Sequence, residues 1–280
     1  IINTFLLIWF IRPISKLVER LIPEKIQVET PVNEPKYLKK SVLKYPETFI
    51  AALIQESKYL FKNSIFEIVS HALNIHKKDI KSDLKLKKVI KKSNILFDLD
   101  IREQYVIKIK SIYGQIINYA TKGQSQLDLS EDQNNQISEI KVANRKMVEI
   151  IRDVSELSRN ITLYLNSENL YIKKEYNNLR KRVAKVLRTI HLFRTETERD
   201  FFYKTLMKLK AEARENIHKE NLEIDKLIRK DLITVDMASS LVNDNDNVND
   251  MIKKLITVAE LLYGNKDTLL ENDTKKTPIV

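Results

Sequence analysis

Three apolar stripes organise the middle of the chain. Tyr105, Ile109, Ile112, Ile116 and Tyr119 recur at steps of 4, 3, 4 and 3, which lines them along one helix face. Gly123 stands where that helix is expected to end. Met147, Ile150, Val154, Leu157, Ile161 and Tyr164 repeat the pattern in a helix expected to open at Ser130, where Ser130 and Gln133 have capping-box spacing. After a break at Asn166 and Ser167, Ile172, Tyr176, Leu179, Val183, Val186 and Ile190 form the third stripe.

Helical pattern extends on both sides. Pro46 fits a first helical turn and Glu47 suits its positive end, so a helix is expected from Pro46 to about Ile75, with Phe49, Leu53, Leu60, Ile65, Ile68 and Ala72 facing a core. Thr195 and Glu198 have the spacing of a second capping box, ahead of a pattern running through Leu206 and Ile217 to Leu232. A closing helix shows Ile252, Leu255, Ala259 and Leu262 before Gly264. Helices with one apolar face must pack on each other. The expected fold is all-α, about six helices in two groups of three that divide near Ser167.

Composition agrees with long helices. The 280 residues include three glycines, and five of six prolines precede residue 47, so tight turns are scarce beyond that point. The absence of cysteine excludes disulfides, thiolate metal sites and a Cys nucleophile. No GxSxG, Walker loop or dinucleotide fingerprint occurs, so no enzyme is expected.

Net charge is +11, which points to an anionic neighbour, nucleic acid or the inner face of a membrane. The most basic stretch, residues 76–92, reads first as a solvated helix face and second as a lipid-docking surface. A nucleic-acid patch ranks third, because interleaved arginines and aromatics are missing. Glu149 and Asp153, spaced i and i+4, are the best metal-ligand candidates, against Arg145 and Arg152, which can neutralise them. The four histidines show no i, i+4 pair and no HExxH.

The first eleven residues carry nothing more polar than Asn3 and Thr4, with Trp9 at their edge and Arg12, Lys16 and Arg20 just beyond in the manner of a membrane-interface flank. Residues 1–22 are expected to be the end of a truncated transmembrane helix and its cytoplasmic exit. A signal peptide would carry its basic residues first. Residues 23–45, rich in proline, are expected to be a linker, 46–265 a helical domain, and 266–280 a disordered tail.

Four segments together resemble the Na/Pi cotransporter family of bacterial membrane proteins, whose transport domain is followed by a PhoU-like cytoplasmic domain. Residues 2–25 resemble the exit of its last membrane helix, and residues 34–57, with Pro35, Tyr37 and Leu38, resemble its linker and first PhoU-like helix. Residues 147–190 resemble the middle of that domain, where an aspartate and a later asparagine fall at Asp153 and Asn160. Residues 231–262 resemble its closing helices around a Ser-Leu-x-Asn-Asp element, Ser240 to Asp244. The acidic metal motifs of free-standing PhoU proteins are reduced here to Glu149 and Asp153.

The resemblance implies PhoU-like antiparallel bundles, two of three helices each, on the cytoplasmic side of a bacterial inner membrane. It further implies a regulatory domain of a sodium-dependent phosphate symporter, with sodium and phosphate bound at a transport domain upstream of residue 1 and no cofactor here. The expected partners are membrane lipid, that transport domain and a possible homo-oligomer, with no nucleic acid. The competing expectation is a membrane-tethered helical scaffold unrelated to phosphate.

Overall fold

A computed structural model describes residues 34–39, 44–93, 97, 100–215 and 217–264, except for the side chains of residues 217–219. Among them every regular element is helical. Residues 1–33 and the tail beyond Gly264, with the calls made on Trp9, Arg12, Lys16 and Arg20, lie outside the described residues. No described helix is long and apolar enough to cross a membrane.

Helix α1 (Pro46–Leu60) begins after an extended Tyr45, with proline in its first turn beside Glu47. It runs unbroken through a π turn (Phe61–Ile65) into α2 (Phe66–Ala72). The wider π turn rotates the buried face, so Leu60 and Phe61, then Ile65 and Phe66, all point inward as neighbours. Asn74 ends the helix at a φ of 58°, a left-handed conformation that asparagine tolerates. Its side chain accepts from Phe97 N at 2.8 Å and donates to Ser93 O at 3.2 Å.

The basic stretch holds two short helices, α3 (Lys77–Ile80) and α4 (Leu86–Lys92), separated by a turn. Helix α5 (Ile101–Tyr105) passes through a second π turn (Val106–Lys110) into α6 (Ser111–Gln126). Gly123 does not end this helix, as its pattern suggested; it is buried inside α6 under the ring of Phe49. A Cβ there would stand 2.0 Å from Phe49 Cζ, so the glycine permits close approach of α1 to α6. Phe49 in turn stacks on Tyr119, ring centroids 5.3 Å apart.

Helix α7 (Glu131–Leu165) opens with both hydrogen bonds of the Ser130–Gln133 capping box, 3.2 and 3.0 Å, and stops at Asn166. Helix α8 (Leu170–Thr195) is capped by Asn169, whose Oδ1 accepts from the amides of Tyr171 and Ile172. Thr195 is the last residue of α8, its hydroxyl donating back to His191 O at 2.9 Å, so the expected box with Glu198 does not form. Helices α9 (Arg199–Glu215) and α10 (Ile217–Arg229) follow. Helix α11 (Val235–Tyr263), capped by Thr234, starts well before the Ile252 stripe that announced it.

Residue pairings fix the directions. Phe49 on Gly123 and Glu67 on Lys108 set α1 and α2 antiparallel to α5 and α6. Gln124 near the end of α6 bonds to Asn134 near the start of α7 at 3.2 Å, and Asn144 of α7 bonds to Ser57 of α1 at 2.7 Å. On the other side α8 and α11 run parallel, with α9 and α10 returning between them, and α7 packs most extensively against α11. The buried apolar residues of all these helices form one continuous cluster. The second and third stripes are buried throughout, whereas Tyr105, beside the second π turn, is half-buried.

Two arginines of α8 hold the 73–93 segment. Arg180 is fully buried and donates to Leu73 O (2.7 Å), Asn74 O (3.1 Å) and Ser93 O (2.7 Å). Burial draws its pKa down to about 10, which still leaves it protonated at neutral pH. Arg188 donates to Ile80 O, Leu84 O and Asp79 O at 2.7, 2.6 and 3.0 Å. At the other end, residues 34–39 lie on α1, where the amide of Tyr37 donates to Glu56 Oε2 at 2.6 Å. Burial raises the Glu56 pKa, opposed by the backbone N–H groups of Tyr37, Lys36 and Leu38.

Candidate functional site

Spacing on α7 and α11 builds a polar seam. Asp153, Asn160 and Tyr164 are separated by 7 and 4 residues, and Ser240, Asp244, Asn247 and Lys254 by 4, 3 and 7, so each set lies along one helix face. Because the helices are antiparallel, the sets meet in reverse order. Tyr164 Oη donates to Ser240 Oγ at 3.1 Å, Asn160 Nδ2 to Asp244 Oδ2 at 2.9 Å, and Asn247 Nδ2 to Asp153 O at 3.0 Å. Lys254 Nζ donates to Asp153 Oδ2 at 2.5 Å.

Asp244 is the centre of the seam. It is 5% exposed, and the same Oδ2 that accepts from Asn160 also accepts from Tyr176 Oη of α8 at 2.6 Å. Burial pushes its pKa up, aided by Glu156, while the Tyr176 and Asn160 hydrogen bonds pull it down. Tyr176 is itself raised, by burial first and then by the bond to Asp244. The rings of Tyr164 and Tyr176 pack at 4.6 Å and close the group on one side. A carboxylate so placed locks three helices together.

The next face of α11 opens on a cleft of about 340 Å³ between α8, α9, α10 and α11. Glu175, Glu212, Glu220 and Glu223 line it, with Arg182 the one basic residue and Leu179, Ile224, Leu227 and Leu241 as apolar wall. Arg182 pairs with Glu220 at 2.8 Å and donates to Asn245 Oδ1 at 3.2 Å and to Asn249. Its pKa is lowered by burial and held up by Glu220 and Glu212. The cleft is therefore acidic, with its arginine already neutralised.

The two metal-ligand candidates do not converge on a shared point. Glu149 faces Arg145 of its own helix, Nε to Oε1 3.7 Å, and Asp153 turns into the seam toward Lys254, with Arg152 at 3.8 Å. Among the described residues no group of three or more His, Cys, Asp or Glu side chains is arranged to hold a metal ion. The sequence reading placed Arg152 and Arg145 beside the pair but missed Lys254. A cation 101 positions away leaves no local signal. In the basic stretch, Lys77 pairs with Glu67 at 3.5 Å, and the backbone carbonyls are occupied by Arg188.

No family model matches the chain, and no curated protein and no solved structure does either.

Proposed function

We propose that the chain is the PhoU-like regulatory part of a sodium-coupled phosphate symporter, acting through its helical core rather than by catalysis. The reading starts from the four segments that resemble that family. One observation supports it above others: two of those segments, residues 147–190 and 231–262, lie far apart in sequence yet meet side chain to side chain. Asn160 bonds to Asp244, and Tyr164 bonds to Ser240 of the same Ser-Leu-x-Asn-Asp element. Asn160 and Asp244, both placed by the resemblance, are thus physical partners. In this reading the seam sets the register of the domain, and the domain adjusts flux through a transport region elsewhere in the parent protein.

The test is sodium-dependent uptake of labelled phosphate into vesicles bearing the full-length parent, against the same protein cut after about Ile22. Uptake that requires sodium and changes on truncation supports the reading. An intact, correctly inserted parent that moves no phosphate under any gradient removes it.

A second reading, a helical scaffold that holds another protein, draws on one end of the fold. The α7–α8 turn is tied there to the α10–α11 turn by Asn169 Nδ2 to Leu232 O at 2.8 Å. Leu163, Leu170 and Val235 are 60%, 73% and 73% exposed at that end. A parent with a single membrane span and no transport activity would favour this scaffold.

A further inference from the structure

The most basic run of the chain is held by α8 at both ends. Arg188 donates to the carbonyls of Asp79, Ile80 and Leu84, just before α4, and Arg180 donates to Ser93 O, just after it. Leu84 therefore stands beside Arg188 and Ser93 beside Arg180, so α4 runs antiparallel to α8 along about 10 Å of its length. Val89 and Ile90 are buried and Leu86 is half-buried, which turns one face of α4 inward onto α8.

The outward faces of α4 are lysine. Lys85, at the N-cap, and Lys87, Lys88, Lys91 and Lys92 are all exposed. On α8, Lys181 and Lys185 are exposed as well and precede Arg188 by seven and three residues, which sets them on the helix face that carries the arginine. The two sets adjoin, because Arg188 reaches across to the segment that carries the first. Among the described residues none of these lysines forms an ion pair. The acids of the segment, Asp79 and Asp83, both precede α4, and Asp83 acts on Arg188. Leu84, 36% exposed, places an apolar side chain at the edge of the basic face.

A single exposed ammonium is solvated and needs no partner. This face differs in three ways: its charges are of one sign, two arginines fix the backbone that carries them, so the segment cannot swing apart to relieve repulsion, and a leucine is exposed beside them. Base recognition uses guanidinium forks and stacked rings. Here Arg180 and Arg188 spend their donors on carbonyls, and residues 77–93 contain no aromatic side chain. A bilayer surface presents diffuse negative charge above an apolar layer, which matches ammonium groups set around an exposed leucine.

We propose that the outward face of α4, with Lys181 and Lys185 of α8, docks on a membrane surface rich in anionic phospholipid, with Leu84 entering the interface. The lysines act through summed attraction to the surface rather than through fitted pairs, so the charge of the headgroups decides binding. The two arginines act as positioning residues that hold the lysines in one plane of approach. The surface goes beyond the transporter reading and stands without it, since a parent that moves no phosphate leaves it untouched.

The chain has no cysteine, so L84C gives a single labelling site and leaves the Leu84 carbonyl that Arg188 uses in place. A polarity-sensitive fluorophore there is followed as the full chain is titrated with phosphatidylcholine vesicles, with and without phosphatidylserine; the same label in S138C, on α7, is the reference. The L84C label should shift to the blue with the phosphatidylserine vesicles alone and lose that shift at high salt, while the S138C label should not move. The variant K87Q/K88Q/K91Q should bind about a hundredfold more weakly, since each lysine near such a surface is worth about fivefold. None of the three is paired, so its urea midpoint should match that of wild type. Should it fold poorly, K181Q/K185Q carries the same prediction with a loss of about twentyfold. The charge-matched K204Q/K208Q/K230Q, also at exposed positions, should bind as wild type does. A label at Leu84 that shifts equally on neutral vesicles, or on none, overturns the proposal, and so does an equal loss in the charge-matched variant. Duplex DNA bound through the same lysines, with no shift on vesicles, overturns it in favour of a nucleic acid.

Discussion

The two halves of α7 are packed by different chemistry. From Glu131 to Met147 the helix buries Ile137, Ile140, Ala143 and Met147 against α1 and α6, and its one buried polar group there, Asn144, pairs with Ser57 at 2.7 Å and leaves its own Oδ1 unpartnered. From Asp153 to Tyr164 the same helix meets α11 through matched side-chain pairs set among Val154, Leu157 and Ile161. Apolar contact rewards burial at many relative positions of two helices, whereas paired donors and acceptors reward one. The first half supplies driving force, and the second fixes which turn of α11 faces which turn of α7.

Substitutions can break that contrast. Met147→Ala, in the apolar half, should cost about 3 kcal/mol through the cavity it leaves, read as a lower midpoint in urea. Lys254→Met, in the polar half, should cost about 2 kcal/mol, because Asp153 stays buried with only the distant Arg152 beside it. Asp244→Ala should cost a similar amount, since Tyr176 and Asn160 lose their acceptor. Asp244→Asn keeps an acceptor without the buried charge, and should stay within about 1 kcal/mol of wild type. If both Asp244 variants lose equally, the charge rather than the hydrogen bonds holds the seam, and the contrast is wrongly drawn.

The smallest effect is in pH. His71 and His191 both have pKa values lowered from 6.5, by burial first. Below about pH 6.5 the unfolded chain takes up protons that the folded chain refuses, so stability present above that pH is lost on acidification. Urea midpoints in phosphate-free buffer should fall as pH drops through that range. The variant H191Q should show a shallower fall, by less than about 1 kcal/mol.

The helix faces were legible because burial repeats with the helical period. Ile150, Val154 and Leu157, like Ile172, Tyr176 and Leu179, could be placed from spacing alone, and so could the cap at Ser130. The π turns were not legible, since one extra residue shifts the phase without changing composition. Gly123 misled because a glycine that ends a helix and one that admits Phe49 look alike in one dimension. Thr195 misled because a hydroxyl that caps a following helix can equally turn back on its own. In the seam, Asp153, Asn160, Ser240 and Asp244 were singled out beforehand, but their partners Lys254 and Tyr176 were not. Pairing across helices is a tertiary event, and the α8 stripe already claimed Tyr176 as an apolar residue.

Helix α7 has 35 residues with neither glycine nor proline, which gives a rod of about 50 Å without a hinge. A rod clamped along its whole length transmits torque. Rotation imposed near Ser130 must arrive near Asn166, and bending is resisted by both sets of neighbours together. Its central amides should consequently be the slowest in the chain to exchange with deuterium, and a pull on either end should meet one stiff response instead of two soft ones.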